Sequence, residues 1–496
     1  MTSVQFATHE FVLVPLTPIH VGGGEEARLL PEDYRLSKDR AFVERVAARA
    51  VLARLDARMR TDLIAKFDRD PQGLIRSLQE RARDDEILER IPIGQDSARN
   101  VDLRRDGHGR LNLINAFHRS GGRPIVPGSS LKGALRTAWL RHLWDRKKQQ
   151  ARGRDPWQIP HLESWAAMPP RGKDSRAACA KELERTLLDL AKGKDETDAD
   201  PFRDVFVGDV RVPVDGTRID KVGDWKKARD GYRLDDKKQM HYERLRSVMD
   251  GGEPPIMRVA LGLRAEQVRR RRAHLDAEAK RSPRSEIASV ARLLEALEVH
   301  HGELWRRELE KYFGGPEGRR LHDCLKLFDA FDRGGENPEA ALLRIGWAAH
   351  AEAKSLAPVR RVERPQAKGS GRFAEEGSTR HVIDLSGHPA PFGWALLVRA
   401  DAWARKAPDR YLSPPVHRPN PSISAGAGHG SKQAGRRDTA LGSQLLHAKG
   451  ARILVGGEEA ILAEDVTRAH KPSDQVLVDF GDGPEPIRVD QIDGDA

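Results

Sequence analysis

Two short stretches hold residue types that together could bind phosphate. The first is Pro124-Ile125-Val126-Pro127-Gly128-Ser129-Ser130-Leu131-Lys132-Gly133-Ala134-Leu135-Arg136-Thr137-Ala138-Trp139-Leu140. Ser129 or Ser130 can cap a helix at that point. The free amides and positive dipole end of a helix start attract anions. Lys132 and Arg136 are four apart and share a helical face, beside an apolar stripe of Leu131, Leu135 and Trp139. A basic stripe next to a buried one at a Gly-Ser turn suits a phosphodiester backbone; it also suits an ordinary capped amphipathic helix. The stretch is not a nucleotide P-loop, because Ala134 and Leu135 stand where that loop needs Lys and Ser/Thr. The second stretch is Thr17-Pro18-Ile19-His20-Val21-Gly22-Gly23-Gly24. Three glycines after a strand let another backbone approach closely. His20 can serve as an acid–base group or as a structural residue.

Other chemistry is poorly supported. The only cysteines are Cys179 and Cys324, and neither a His-Glu-x-x-His nor a Cys-x-x-Cys pattern occurs. No metal site and no cofactor is expected. His300 and His301 are adjacent, so on a helix they point ~100° apart. His322-Asp323 lacks the further histidines of a metal-dependent phosphohydrolase. Arg269–Arg272 is a basic patch, read as a solvated face or a contact to RNA or a neighbouring protein.

These residues need elements to hold them. His9–Leu16 reads as a strand, and Phe42–Phe67 and 74–88 as helical stretches. Residues 92–122 read as loop, and a helix starts at Ser129 or Ser130. A further helix is expected over Ala178–Ala191, inside a charged insertion. Val205–Val214, Ile256–Leu263, Ala340–Trp347 and Ala390–Val398 read as strands, and Ala265–Phe313 as a long helical region broken near Pro283. Residues 362–380 read as mobile. Pro and Gly dominate 413–440, which reads as a disordered linker. Short alternating runs after 441 suggest a small all-β module.

The chain has 496 residues and a formal charge of +11. From Leu441 onward there are five bases and eleven acids, a net −6, so the first 440 residues carry +17. A basic body points to a polyanionic partner, or to an Arg-rich proteome. No run reaches the ~20 apolar residues of a membrane span, and no basic segment with an apolar core opens the chain. The expectation is a cytoplasmic protein with no membrane contact.

The two stretches together resemble the RAMP superfamily of type III CRISPR-Cas effectors. Glu25-Glu26, Pro31-Glu32-Asp33-Tyr34 and Pro391-Phe392-Gly393-Trp394 are most similar to one branch, the type III-A (Csm complex) head subunit that caps the 3′ side of the crRNA. The resemblance spans roughly residues 9–400. It implies an α+β fold, an RRM/ferredoxin-like palm with large helical insertions, here near 40–118, 146–200 and 265–313. The domain expectation is a body over 1–400, a linker over 401–440 and an acidic β module over 441–496.

The resemblance implies a non-enzymatic RNA-binding subunit. It would bind the 3′ part of the crRNA through backbone contacts, beside target RNA, and take part in crRNA maturation and complex assembly for antiviral defence. Its neighbours would be other subunits, the backbone RAMP subunit above all. The aromatic content of 5% argues against a sheet that stacks bases. The RNA-binding candidates are His20, Gly22, Gly23, Gly24, Ser129, Ser130, Lys132 and Arg136. To these a late loop adds Arg344, Lys354, Arg360 and Arg361, although Ala348 and Ala349 replace glycines expected there. One alternative is an endoribonuclease that processes precursor crRNA or cuts target RNA, with His20 or Asp33 as its catalytic group. Another is a scaffold whose acidic tail recruits a partner such as a host nuclease.

Overall fold

The computed structural model describes residues 6–24, 27–30, 33–67, 70, 77–94, 113–150, 173–188, 190, 200–229, 231–264, 287–363 and 373–412. In the C-terminal part it describes the strands Leu445–His447, Arg452–Val455, Glu458–Leu462, Val466–Thr467, Gln475–Asp479, Pro484–Arg488 and Ile492–Asp495. The chain divides into two compact units, Met1–Val416 and His417–Ala496.

The first unit is built on β1 (Phe6–Pro15), α1 (Gly128–Gln150), β2 (Val205–Val207), β3 (Met257–Arg264), α2 (Val290–Tyr312), β4 (Ala340–Arg344) and β5 (Trp394–Arg399). The strands lie in the order β4-β5-β1-β3-β2, each antiparallel to its neighbours. Setting β4 aside, β1-α1-β2-β3-α2-β5 is the ferredoxin-like split arrangement, with β4 added at the edge beyond β5. The fold is α+β.

Both faces of this sheet are covered. Phe11, Leu13, Val259, Leu261, Leu343 and Leu397 join one core with Leu131, Leu135 and Trp139 of α1 and Leu293, Leu294 and Leu297 of α2. Val12, Val14, Leu342, Leu396 and Val398 join a second core with Phe328, Phe331 and Trp403. Apolar residues at successive positions from Phe11 onward produce this double burial. A sheet buried on both sides has no face left there for stacking bases.

A second sheet of six strands flanks the first. Its order is Pro389–Pro391, Thr379–Asp384, Thr217–Ala228, Gly231–Leu245, Ile114–Asn115 and Arg28–Leu29. Its centre is a long antiparallel hairpin, from Thr217 paired with Leu245 to Ala228 paired with Gly231. Gly231 takes φ +127°, which favours glycine at that turn. Tyr34–Leu36, Phe42–Val46 and Ile87–Pro92 form a three-stranded sheet.

Several expectations are corrected. Phe42–Val46 is a strand, because pairing on both sides outweighs its helical spacing; helices follow at Ala48–Arg54 and Ala57–Phe67. The 74–88 stretch is α-helical only over 77–81 among its described residues, makes a short 3-10 turn at Asp84–Glu86 and is in a strand by Ile87. Val205–Val214 and Ala390–Val398 each split between two sheets, the latter at Gly393, whose φ is +101°. The helix expected over Ala178–Ala191 runs over Lys173–Leu187. The region 265–313 holds α2, which belongs to the palm itself, and much of what is added elsewhere is sheet. The linker cannot begin at 401, because Ala400–Lys406 and Asp409–Leu412 are helices and Trp403 stacks on Phe331 with ring centroids 5.9 Å apart. Glu25-Glu26, Pro31-Glu32, Arg269–Arg272 and the 413–440 linker lie outside the described residues.

In the second unit, Pro484–Arg488, Gln475–Asp479, Glu458–Leu462, Arg452–Val455 and Ile492–Asp495 form one antiparallel sheet in that order. Leu445–His447 pairs with Val466–Thr467. Among the described residues, no helix is long and apolar enough to cross a membrane, and no group of three or more metal-ligating side chains occurs.

Candidate nucleic-acid interface

The loop leaving β1 is fixed at nearly every residue. The Trp394 amide donates to Thr17 Oγ1 at 3.0 Å, the Gly393 amide to the Pro18 carbonyl at 2.8 Å, the Leu245 amide to the Ile19 carbonyl at 2.7 Å and the Trp347 amide to the His20 carbonyl at 2.8 Å. Two glycines permit this convergence. Gly346 has φ +91°, and a Cβ on it would overlap the His20 carbonyl; Gly393 has φ +101°, and its Cβ would lie 2.6 Å from the Ile345 carbonyl.

Above this loop opens a cavity of about 630 Å³. His20, Gly22 and Gly24 line one side, and Ser129, Ser130, Gly133 and Thr137 of α1 another. Arg344, Gly346, Trp347 and Lys354 come from the late loop, and Arg28, Asn115 and Tyr242 from the six-stranded sheet. Seven of the twelve candidate residues meet here: His20, Gly22, Gly24, Ser129, Ser130, Arg344 and Lys354.

The start of α1 is placed by Gly128, where a Cβ would overlap the Val207 carbonyl, and whose amide donates to Asp209 Oδ1 at 2.7 Å. Ser129 is exposed and Ser130 half-buried at the first turn, so the dipole end of a 23-residue helix opens toward the cavity.

His20 is buried, at 3 % exposure. Its Nδ1 donates to the Glu243 carbonyl at 2.6 Å. A carbonyl only accepts, so Nδ1 carries the proton and Nε2 keeps its lone pair. Burial lowers the imidazole pKa, opposed by that hydrogen bond and by the Glu243 carboxylate. Its ring meets Tyr242 edge-on at 4.9 Å. Tyr242 stacks on Trp347 at 4.2 Å, Trp347 on His381 at 4.6 Å and His381 on His350 at 6.0 Å. Both faces of Trp347 are therefore covered within the fold.

The remaining candidates are placed differently. Arg136 pairs bidentately with Asp200 at 2.8 and 2.9 Å, bonds Glu184 and lies over the Phe202 ring. It ties α1 to the helix Lys173–Leu187 and does not line the cavity. Lys132 is half-buried next to it, its pKa lowered by desolvation against the pull of Asp200. Arg344 lines the cavity, but its guanidinium is buried against Glu308 and the Phe392 carbonyl. Lys354 donates to the Trp347 carbonyl at 3.2 Å, and desolvation, then Arg344, lowers its pKa. Arg360 is buried and donates to the Ser355 and Glu352 carbonyls, and Arg361 donates to the Arg360 carbonyl. Gly23 does not line the cavity; its Cβ would meet that of Ala27 at 2.7 Å. Asp33 Oδ2 accepts from the Leu30 amide at 2.8 Å, and Asp33 does not line the cavity either. Ala348 and Ala349 are buried at 3 % and 1 %, so only Gly346 needs a glycine there.

Arg28, Asn115, Tyr242 and Trp347 are the residues that sequence spacing did not single out. The signal for Tyr242 was present in Asp230-Gly231, a hairpin turn dipeptide between two alternating runs. Arg28 and Asn115 sit on two-residue strands, too short to leave a pattern.

Comparison with protein families matches residues 12–249 to the RAMP superfamily. Among solved structures, the chain is similar to one from a cryo-EM structure of a Csm–crRNA–target RNA ternary complex in a type III-A CRISPR-Cas system. The TM-score is 0.53 at 17% identity, covering 78% of this chain and 100% of the other. It is also similar to the crystal structure of T.onnurineus Csm5, with a TM-score of 0.49 at 18% identity, covering 78% of this chain and 99% of that one. No curated protein sequence matches.

Proposed function

We propose, from the match of residues 12–249 to the RAMP superfamily, that the chain is a non-catalytic, RNA-binding subunit of a type III-A CRISPR ribonucleoprotein. In this reading it holds the 3′ part of the crRNA, beside target RNA and a backbone RAMP subunit, and takes part in crRNA maturation and assembly. The observation that carries the reading is the cavity where the β1 loop, the start of α1 and the Gly346 loop converge. Backbone amides, a helix dipole and the cations Arg28 and Lys354 all border it. That set suits sugar–phosphate chemistry. The fold likeness to a chain of a Csm–crRNA–target RNA complex supports the choice of system.

The test is Ser129→Asp, read by fluorescence anisotropy with a crRNA 3′ segment. A carboxylate at a helix start favours the helix, so lost binding is not explained by unfolding. The expected result is at least a tenfold weaker Kd, in keeping with one lost charge-assisted contact plus repulsion, roughly 1.4 kcal/mol or more. Unchanged affinity would remove the cavity from the RNA path.

Of the two groups named for the endoribonuclease alternative, only His20 lines the cavity, with its Nε2 lone pair open; Asp33 lies outside it. Cleavage of RNA by the purified chain that disappears in His20→Ala would favour that alternative.

A further inference from the structure

Two polar groups of nearly buried residues remain without a hydrogen bond at the floor of the cavity. His20 and Tyr242 are 3 % and 7 % exposed, and both line it. With its proton on Nδ1 and given to the Glu243 carbonyl, His20 offers Nε2 as an acceptor only. The Tyr242 side chain has no hydrogen bond among the described residues, and burial pushes its hydroxyl up to about 12, so it stays protonated and can donate. The rings are 4.9 Å apart, centroid to centroid. An acceptor and a donor on adjoining rings that line one cavity, next to a helix start, suit one small group that both donates and accepts.

The stack around Tyr242 narrows the choice. Trp347 is covered on one face by Tyr242 and on the other by His381, so it offers no platform to a base. Gly22 sharpens it further: a Cβ there would lie 2.9 Å from His20 Nε2, so glycine at this position keeps the lone pair open.

We propose that His20 and Tyr242 read a ribose 2′-hydroxyl. The hydroxyl donates to His20 Nε2 and accepts from the Tyr242 O–H, while the adjoining phosphate faces the start of α1. The cavity would thereby discriminate RNA from DNA, because the 2′-hydroxyl is the group that distinguishes them along the backbone. This rests on the RNA-binding reading above.

The test uses the full chain and two fluorescent probes of identical base sequence, one RNA and one DNA. Wild-type protein should bind the RNA roughly tenfold more tightly, as expected for about one net hydrogen bond and one group otherwise left unpaired. Tyr242→Phe keeps the ring stack and removes only the donor. It should weaken RNA binding several-fold, leave DNA binding unchanged and so collapse the ratio. Gly22→Ala should do the same by covering Nε2. Equal wild-type affinities, or a Tyr242→Phe loss shared equally by both probes, would overturn the inference while leaving RNA binding intact. Absence of binding to either probe would instead overturn the RNA-binding reading itself.

Discussion

The amide of Trp347 donates to the carbonyl of His20 at 2.8 Å, across more than three hundred residues of sequence. This bond joins the loop after β1 to the loop after β4, and the cavity exists because the two meet. Gly346 makes the approach possible by combining a left-handed φ with an absent side chain.

Gly346→Ala should therefore destabilise the first unit. The positive φ costs about 1–3 kcal/mol for a residue with a Cβ, and the overlap with the His20 carbonyl adds to it. Chemical denaturation should show the loss, and RNA affinity should fall with it as the loops separate.

Arg136 and Lys354 make a contrasting pair. Arg136→Ala removes the bonds to Asp200 and Glu184. The expected cost is about 1 kcal/mol of stability, discounted because these groups are partly exposed, with no change in the salt dependence of RNA binding. Lys354→Ala should leave the melting temperature unchanged and flatten the slope of log K against log salt by about 0.7 for one single-stranded contact. Anisotropy titrations between 50 and 200 mM salt, as the order of range used for such slopes, check both.

Acid should destabilise the fold through buried histidines. Burial holds His300 at about 3 and His241 at about 4, with His301 well below its usual value. In the unfolded chain these groups titrate near 6.5. As pH falls below that value the unfolded state binds protons that the native state does not, so stability declines from pH 6.5 toward the native values. His300→Leu should make that decline shallower by about 1.4 kcal/mol per pH unit, measured by urea denaturation across pH 7 to 5. An unchanged slope would mean that His300 charges within the fold.

A chain ending at Val416 should fold and bind RNA as the full chain does, because both apolar cores and the cavity lie within Met1–Val416. Circular dichroism and anisotropy would show it. A loss of RNA affinity would assign the acidic strands of the second unit a part in binding.

Local pattern was enough for some of this. Dense apolar runs marked β1, β3, β4 and β5, because burial acts within a few residues; the Gly-Ser turn marked where α1 starts, but the helix opens at Gly128 and its first amide is bonded by Asp209, 81 positions away. The opening glycines of the β1 loop were equally visible. Spacing could not tell which cations are committed inside the fold. Lys132 and Arg136 share a helical face, yet Arg136 is held by Glu184 and Asp200, 48 and 64 positions away. Arg360 was expected at the RNA and is a buried clamp on its own loop.

Phe42–Val46 shows the same limit from the other side: helical spacing gave way to strand pairing with Ile87–Pro92. The sequence alone therefore carried the family resemblance, the class of fold and the two stretches that border the cavity. Tertiary structure alone decided that Tyr242 faces His20, that Trp347 is closed to bases and that Arg28 and Asn115 join the cavity. Contacts of that kind depend on which distant strands hydrogen-bond, and short-range periodicity carries no record of it.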